Sequence, residues 1–320
     1  MGSKRPDSRW RSLVIAMAVS LTACGSGHGV KTTFLSIGTG GTGGIYYPLG
    51  GALASRLSLA DTTRQYTAEV TGGSVENVNR VVAGQIDLGF ALSLTAYEAY
   101  HGGDDFPDPE TRLRVVAPLY PNVTHILVPA SSNARSLADL KGKKISVGSA
   151  GSGTEQISRQ LLEAYGLTYD DITPRYLSFT ESAAALQDGA IDAAIISVGI
   201  PAAAVLEATT TDGARLLGIS AEKLAVLKSR YPYYSAGVIP AGAYPGVDAP
   251  IPTVAMMNWV VARDDLDGQV AESLLDILYK DRASLERVHE MAKQIDLGRL
   301  AEAPIPLHPA AERWVEANKR

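Results

Sequence analysis

Three times in this chain a short apolar strand runs into a glycine-rich turn that opens a helix, and this junction restricts the fold more than any other feature. The first is Phe34-Leu35-Ser36-Ile37, then Gly38-Thr39-Gly40-Gly41-Thr42-Gly43-Gly44, then helical spacing of Leu49, Leu53 and Leu57 between about Tyr46 and Leu59. The second is a strand at about Tyr66–Val70, the turn Thr71-Gly72-Gly73-Ser74 and a helix to about Ala83, followed by a strand Ile86–Ala91. The third is Lys144–Val147, the loop Gly148–Thr154 and a helix to Tyr165, continued by strands near Pro174–Leu177, Ile191–Ser197 and Arg215–Ile219. Alternation of this kind builds parallel sheets with helices on both faces, and ligands gather at the carboxyl ends of the strands.

The pattern restarts after about residue 130, giving two α/β units, and a long apolar strand, Thr253–Ala262, comes late. Helical periodicity returns in Val270–Tyr279 and Ser284–Ile295. The first unit is short of helices and the C-terminal segment offers only helices, so the chain is expected to return to the first unit. The predicted fold is α/β, two doubly wound lobes joined by a two-strand hinge. Residues 31–129 with 253–320 form one lobe and 130–252 the other. Proline-bearing linkers are expected at Leu119–Thr124 and about Ala241–Pro252.

Residues 1–23 read as a secretory leader: a basic start, an apolar stretch of ten residues from Ser12 to Leu21, then small residues. Ten is about half the ~20 needed to span a bilayer. Leu21-Thr22-Ala23-Cys24 has the form of a bacterial lipobox, in which the cysteine is acylated and becomes the mature N-terminus. Residues 24–30 then form a glycine-rich tether, and the protein is expected outside the cytoplasm, lipid-anchored to the membrane. Cys24 is the single cysteine, which excludes internal disulfides, CxxC redox motifs and cysteine-rich zinc sites. Net charge is −5, and the leader's four bases and one acid leave −8 for the remainder. A body that acidic, with no Lys/Arg run, argues against nucleic-acid binding.

The first glycine run contains G-x-G-x-x-G in the strand-to-helix context of a dinucleotide fingerprint. An exported chain has no access to the nicotinamide pool, and no Gly-Lys-Ser/Thr follows to make a phosphate loop, so no cofactor is expected. The five histidines show no metal spacing, and Gly151-Ser152-Gly153 lacks the spacing of a nucleophile elbow, so neither a metal nor a catalytic residue is expected. The three junctions instead offer backbone N–H groups unobstructed by Cβ atoms, hydroxyls, and helix N-termini, a combination that favours a carboxylate or other anion. Thr39, Gly40, Thr42, Ser74 and Asn77 are the candidates on one lobe, with Tyr46 and Tyr47, whose side chains diverge by about 100° so that one faces the cleft. Ser152, Gly153 and Thr154 are the candidates on the other. Trp259 reads as core, and Asp87 and Asp192 as caps.

Ile37 to Gly51, Thr71-Gly72-Gly73-Ser74-Val75-Glu76-Asn77 and Gly148 to Glu155 together resemble the TAXI-type solute receptors of TRAP transporters. Gly199-Ile200-Pro201, Tyr231-Pro232-Tyr233-Tyr234 and Ile305-Pro306-Leu307-His308-Pro309 add to the likeness, which covers most of the mature chain. The resemblance implies a periplasmic binding protein of the two-hinge, type II kind. It implies a small organic acid, glutamate-like or a 2-oxo-dicarboxylate, held between the lobes of a monomer and delivered to a TRAP membrane permease. Leu92 stands where the family usually has Gln, which implies a less polar cleft rim. A lipoprotein that presents its ligand to a sensor kinase is the alternative function, and a hydrolase on the same fold lacks an activated nucleophile.

Overall fold

A computed structural model describes residues 1–2, 32–210 and 213–318. Residues 3–23 of the leader, Cys24 and the tether fall outside these residues. The chain from Thr33 onward forms one compact unit. The glycine junctions divide strands from helices as the spacing predicts: β1 (Thr33–Gly38), α1 (Tyr46–Ala60), β2 (Arg64–Glu69), α2 (Ser74–Val82) and β3 (Leu88–Leu92). There follow α3 (Ser93–His101), β4 (Leu113–Pro129), β5 (Lys144–Ser146), α4 (Gly153–Ala164), β6 (Thr173–Arg175), α5 (Phe179–Gln187) and β7 (Ala193–Val198). The remainder is α6 (Ala203–Thr209), β8 (Ala214–Leu217), α7 (Ala221–Arg230), β9 (Ser235–Ile239), β10 (Ile251–Arg263), α8 (Gly268–Lys280), α9 (Arg282–Glu286) and α10 (Pro309–Asn318).

One sheet runs β2-β1-β3-β10-β4-β7-β5-β6, with β8 added to β4 and β9 to β10. Its outer thirds are parallel, β2-β1-β3 and β7-β5-β6, and the antiparallel pair β10–β4 lies between them. Both faces are packed. Along β7, Ala193 and Ile195 enter one apolar cluster and Ala194, Ile196 and Val198 the other. On α1, Leu49, Leu53 and Leu57 are buried at the predicted spacing, each contributing about 1.5–3 kcal/mol of apolar burial. The chain does return to the first half: β10 pairs with β3, α8 packs on α1, and the Trp314 indole N–H donates to Asp276 Oδ1 (2.9 Å), tying α10 to α8.

The register decides where a ligand can sit. β3 ends at Leu92 opposite Asn258 of β10, and β7 ends at Val198 opposite Val123 of β4, which in turn faces Ala255 of β10. The two parallel groups run in opposite directions, so their carboxyl ends converge on the stretch Tyr120–Val123 and Ala255–Asn258. The helices following β1, β2, β5 and β6 therefore point their N-termini at that one place.

Three expectations differ from the structure. Leu119–Thr124 lies within the 17-residue β4, where Pro118 and Pro121 meet β10 at a register shift that needs no N–H from them. Ala241–Pro252 holds a turn and the first residues of β10. The expected helix Ser284–Ile295 is divided into the end of α9 and a 3-10 turn Glu290–Gln294.

Candidate functional site

The convergence of strand ends leaves a cleft with an empty space of about 570 Å³, open mouth included. Four helices start at its wall. Gly43, Gly44 and Ile45 lead into α1, Gly72 and Gly73 into α2, Ser152 into α4 and Ser178 into α5. The serines cap their own helices, Ser152 Oγ accepting from the Glu155 N–H (3.1 Å) and Ser178 Oγ from the Glu181 N–H (3.3 Å). At α1 and α2 the residues before the helix, Ile45 and Gly73, supply no side-chain cap. Gly73 has φ 122°, a conformation an L side chain rarely adopts. First-turn N–H groups have no backbone partner inside their own helix, so four helix starts bring such donors to one space, less the Glu76, Glu155 and Glu181 N–H groups already engaged and Pro48, which has none.

The floor is a hydrogen-bonded strap across β4 and β10. Tyr46 OH donates to Asn258 Oδ1, and Asn258 Nδ2 donates to Tyr120 O (2.7 Å) and to Asn122 Oδ1 (2.8 Å). Asn122 Nδ2 donates to Ser197 O (3.0 Å). The Tyr46 ring stands edge-on to Phe90 (5.3 Å between centroids), and burial raises the pKa of its hydroxyl, which stays protonated as a donor. No Asp, Glu, Lys, Arg or His is among the described residues that line the cleft.

Of the residues singled out from the sequence, Gly40, Tyr46, Ser74, Ser152, Gly153 and Thr154 line this cleft. The other four do not. Thr39 is buried beneath α1, its Oγ1 donating to Glu69 O (2.6 Å). Thr42 and Tyr47 are exposed and outside the lining. Asn77 is fully buried and spends its amide on Thr39 O (2.6 Å), Phe90 O (2.8 Å) and the Thr71 hydroxyl (2.7 Å). Tyr120, Asn122, Ser178, Phe179 and Ser197 line the cleft without having been singled out. Only Ser178 carried a local signal, as Ser-Phe-Thr-Glu is a capping box. Trp259 is core, with its N–H on Ser93 Oγ (2.7 Å). Asp87 and Asp192 occupy matching positions, accepting from the Ser36 N–H (2.7 Å) and the Lys144 N–H (2.8 Å).

The two halves already touch around the cleft. The Glu76 N–H in the first turn of α2 donates to Gly151 O (2.9 Å) across it. Alongside the cleft, α3 meets α4: Glu98 accepts from Gln156 Nε2 (3.1 Å), Gln160 Nε2 (3.1 Å) and Tyr233 OH (3.3 Å). Asp105 accepts from Gln156 Nε2 (2.9 Å) and pairs with Arg159. Burial first, then the charge of Asp105, push the Glu98 carboxyl from its usual 4.5 up to about 7. The unfolded chain ionises Glu98 near 4.5 and the folded one only near 7, so the folded state holds the extra proton between them and stability falls as pH rises through that window. Glu98→Gln is expected to flatten this decline, raising the melting temperature relative to the parent at pH 8 but not at pH 4. Parallel thermal melts over that range check it, and an unchanged decline would assign it to another group.

Comparison with known proteins agrees with this architecture. The model of the NMT1-like family matches residues 37–316. The chain belongs to the NMT1-like family. A curated Escherichia coli (strain K12) protein, named as an aliphatic sulfonates-binding protein, is 34% identical over 110 residues. That match covers 34% of this NMT1-like chain and 33% of the relative, so it spans about a third of the relative's length. Among solved structures, a Bordetella bronchiseptica RB50 protein superposes with TM-score 0.53 at 18% identity, covering 89% of this chain and 81% of its own. A structure described as a periplasmic transporter gives TM-score 0.51 at 14% identity, covering 89% and 92%. These likenesses establish the fold, α/β of the periplasmic-binding-protein kind. The expectation of a binding protein rather than an enzyme agrees with them. Among the described residues no helix is long and apolar enough to cross a membrane.

Proposed function

We propose that this NMT1-like protein is an extracytoplasmic receptor that captures a small organic acid in the cleft and delivers it to a membrane transporter. The observation that carries this is the meeting of four helix N-termini on one uncharged cleft. Each N-terminus contributes about 0.3–1 kcal/mol to an exposed anion and up to about 2 kcal/mol to a partly buried one, so several together hold an oxoanion without an arginine. In this reading residues 31–129 with 253–320 are one lobe and 130–252 the other, β4 and β10 are the hinge, and the Glu76–Gly151 bond is a closure contact. Closure dries the cleft, strengthens each charge-assisted bond, and presents the transporter with a distinct loaded shape.

The resemblance to TAXI-type receptors favours a TRAP permease as the partner and a glutamate-like or 2-oxo acid as the ligand. The name of the Escherichia coli relative brings sulfonates into the same class, since a sulfonate and a carboxylate ask for the same donors. Acylated Cys24 with the tether 24–30 would hold the receptor at the membrane.

Calorimetry on protein stripped of ligand by unfolding and refolding tests the reading, with carboxylates, alkanesulfonates, sugars and polyamines as titrants. One acid bound per chain, with no heat from sugars or amines, is expected, and the reverse overturns it. Thr154→Val, which keeps shape and loses the hydroxyl, is expected to weaken the acid about tenfold to a hundredfold, the ~1.5–3 kcal/mol of a hydrogen bond to a charged group, while leaving the unfolding midpoint in place.

A further inference from the structure

Beside the cleft, and not part of its lining, the two halves meet at a carboxyl group that has no cation of its own. Glu98 of α3 accepts from Gln156 Nε2 (3.1 Å), Gln160 Nε2 (3.1 Å) and Tyr233 OH (3.3 Å), and all three donors are neutral and belong to residues 130–252. Gln156 Nε2 also donates to Asp105 Oδ2 (2.9 Å), so two carboxyl groups converge on one amide nitrogen. Arg159 distinguishes them: it pairs with Asp105, Asp104 and Glu155, while Glu98 has no salt bridge among the described residues. Like charges gathered on one donor, with a cation on one side only, place a proton on the other.

The remaining groups around Glu98 do not compete for that proton. On the turn after α7, burial above all keeps the Tyr231, Tyr233 and Tyr234 hydroxyls protonated, above their usual range. Asp104, Glu163 and Arg230 are exposed along the groove between α3 and α4, and on α3 itself His101 is exposed and stacks on Tyr97 (4.4 Å between ring centroids). The contact is not simply adhesive. Arg159 Nε and Gln160 Oε1 are fully enclosed and have no hydrogen-bond partner among the described residues. A buried polar atom without a partner costs free energy that water returns, so parting α3 from α4 hydrates these two atoms together with Glu98.

The cleft holds nothing that titrates near neutrality. No Asp, Glu, Lys, Arg or His is among the described residues that line it, and burial raises the hydroxyls of Tyr46 and Tyr120. A pH effect on the binding of an ionised acid therefore has to come from outside the cleft.

We propose that Glu98 is a proton-binding site coupled to the cleft: as the halves close on a ligand the chain takes up a proton at Glu98, and the ligand is held more tightly as pH falls. This rests on the reading in which the halves close around an acid. Linkage gives the sign. In water a glutamate ionises near 4.5, whereas in the contact burial and then the charge of Asp105 raise Glu98 to about 7. Between those values the closed state holds the extra proton, so closure is favoured at the acid end of the window and weakens as pH rises through it. By reciprocity, ligand in the cleft tightens the hold on the proton by the same factor.

Ethanesulfonate and pyruvate, whose acid groups stay ionised from pH 5 to pH 8, are the probes, titrated calorimetrically in two buffers of different ionisation heat. Uptake of roughly half a proton or more per ligand at pH 6, and affinity at least about tenfold higher at pH 5 than at pH 8, are expected. In Glu98→Gln, which resembles the protonated carboxyl, both effects are expected to vanish, with binding at pH 8 at least about tenfold tighter than the parent's, a gain that structural damage would not produce. His101→Gln is expected to keep the parent's pH dependence. Binding without proton uptake, or an uptake that persists in Glu98→Gln or disappears in His101→Gln, overturns the inference and leaves the acid-binding reading standing. Where neither probe gives heat, small-angle scattering of the ligand-free chain decides: contraction from pH 8 to pH 5 in the parent but not in Glu98→Gln supports the inference, and equal radii at both pH values overturn it.

Discussion

Gly72→Val is expected to lower ligand affinity at least a hundredfold while leaving the fold intact. A Cβ placed on Gly72 meets Ala150 O at 2.5 Å and Glu76 Oε2 at 3.1 Å. Glu76 is a flexible neighbour and gives way. Ala150 O is backbone on the opposite side of the cleft, and it can move only if the two loops part. The backbone of Gly72 is not in the left-handed region, so the substitution strains the approach of the loops rather than the turn itself. Parting them removes the Glu76–Gly151 bond and withdraws the starts of α2 and α4 from each other, which is why a substitution that removes no donor has so large an effect on binding. A hundredfold is about 2.7 kcal/mol. Titration calorimetry reads the affinity, and small-angle scattering is expected to show the variant remaining extended on addition of ligand while the parent contracts. A variant that binds and contracts like the parent would mean that the loops do not approach each other in the loaded state.

Asn77→Leu is expected to act in the opposite sense, costing stability more than binding. The amide of Asn77 joins the end of β1, the end of β3 and the turn after β2 through Thr39 O, Phe90 O and Thr71 Oγ1. Leucine fills the space and leaves two buried carbonyls and a hydroxyl without this partner, at about 1–3 kcal/mol for each group left unsatisfied. Relaxation and the second bond from Thr71 to Thr39 O (3.0 Å) offset part of this, so a net loss of about 3–5 kcal/mol is expected. Urea unfolding should show a lower midpoint with an unchanged slope. A parental midpoint combined with lost binding would return Asn77 to the ligand.

Asn77 illustrates which parts of this site are legible in a sequence and which are not. The strand-turn-helix junctions are visible because glycine runs and the 3.6-residue spacing of Leu49, Leu53 and Leu57 are local signals, and the junctions carry Gly40, Ser74, Ser152, Gly153 and Thr154 into the cleft. Whether a polar residue at such a junction faces ligand or protein is not local. Thr39 and Asn77 sit at the right turns and are consumed by neighbouring strand ends, and Thr42 faces solvent from the same run that holds Gly40. Tyr120, Asn122 and Ser197 lie in strands whose relevance arises from the registers Val123↔Val198 and Asn258↔Leu92, pairings between residues far apart in the chain. The prolines at 118 and 121 suggested a linker because in isolation they interrupt a strand, and only the register shift opposite them in β10 makes them compatible with one. α3 carries no clear apolar stripe, since Ser93-Leu94-Thr95-Ala96-Tyr97 is buried nearly all round at its start between β10 and α4.

The central claim, an acid held by the first turns of four helices, is tested most directly by following backbone amide chemical shifts while the tightest-binding acid of the calorimetric panel is added. Saturable shifts concentrated at Gly43–Tyr46, Gly72–Val75, Ser152–Glu155 and Ser178–Thr180, one set from each helix start, are the predicted result. Shifts confined to other surfaces, such as the Glu98–Arg159 contact between α3 and α4, with all four helix starts unmoved, would contradict it.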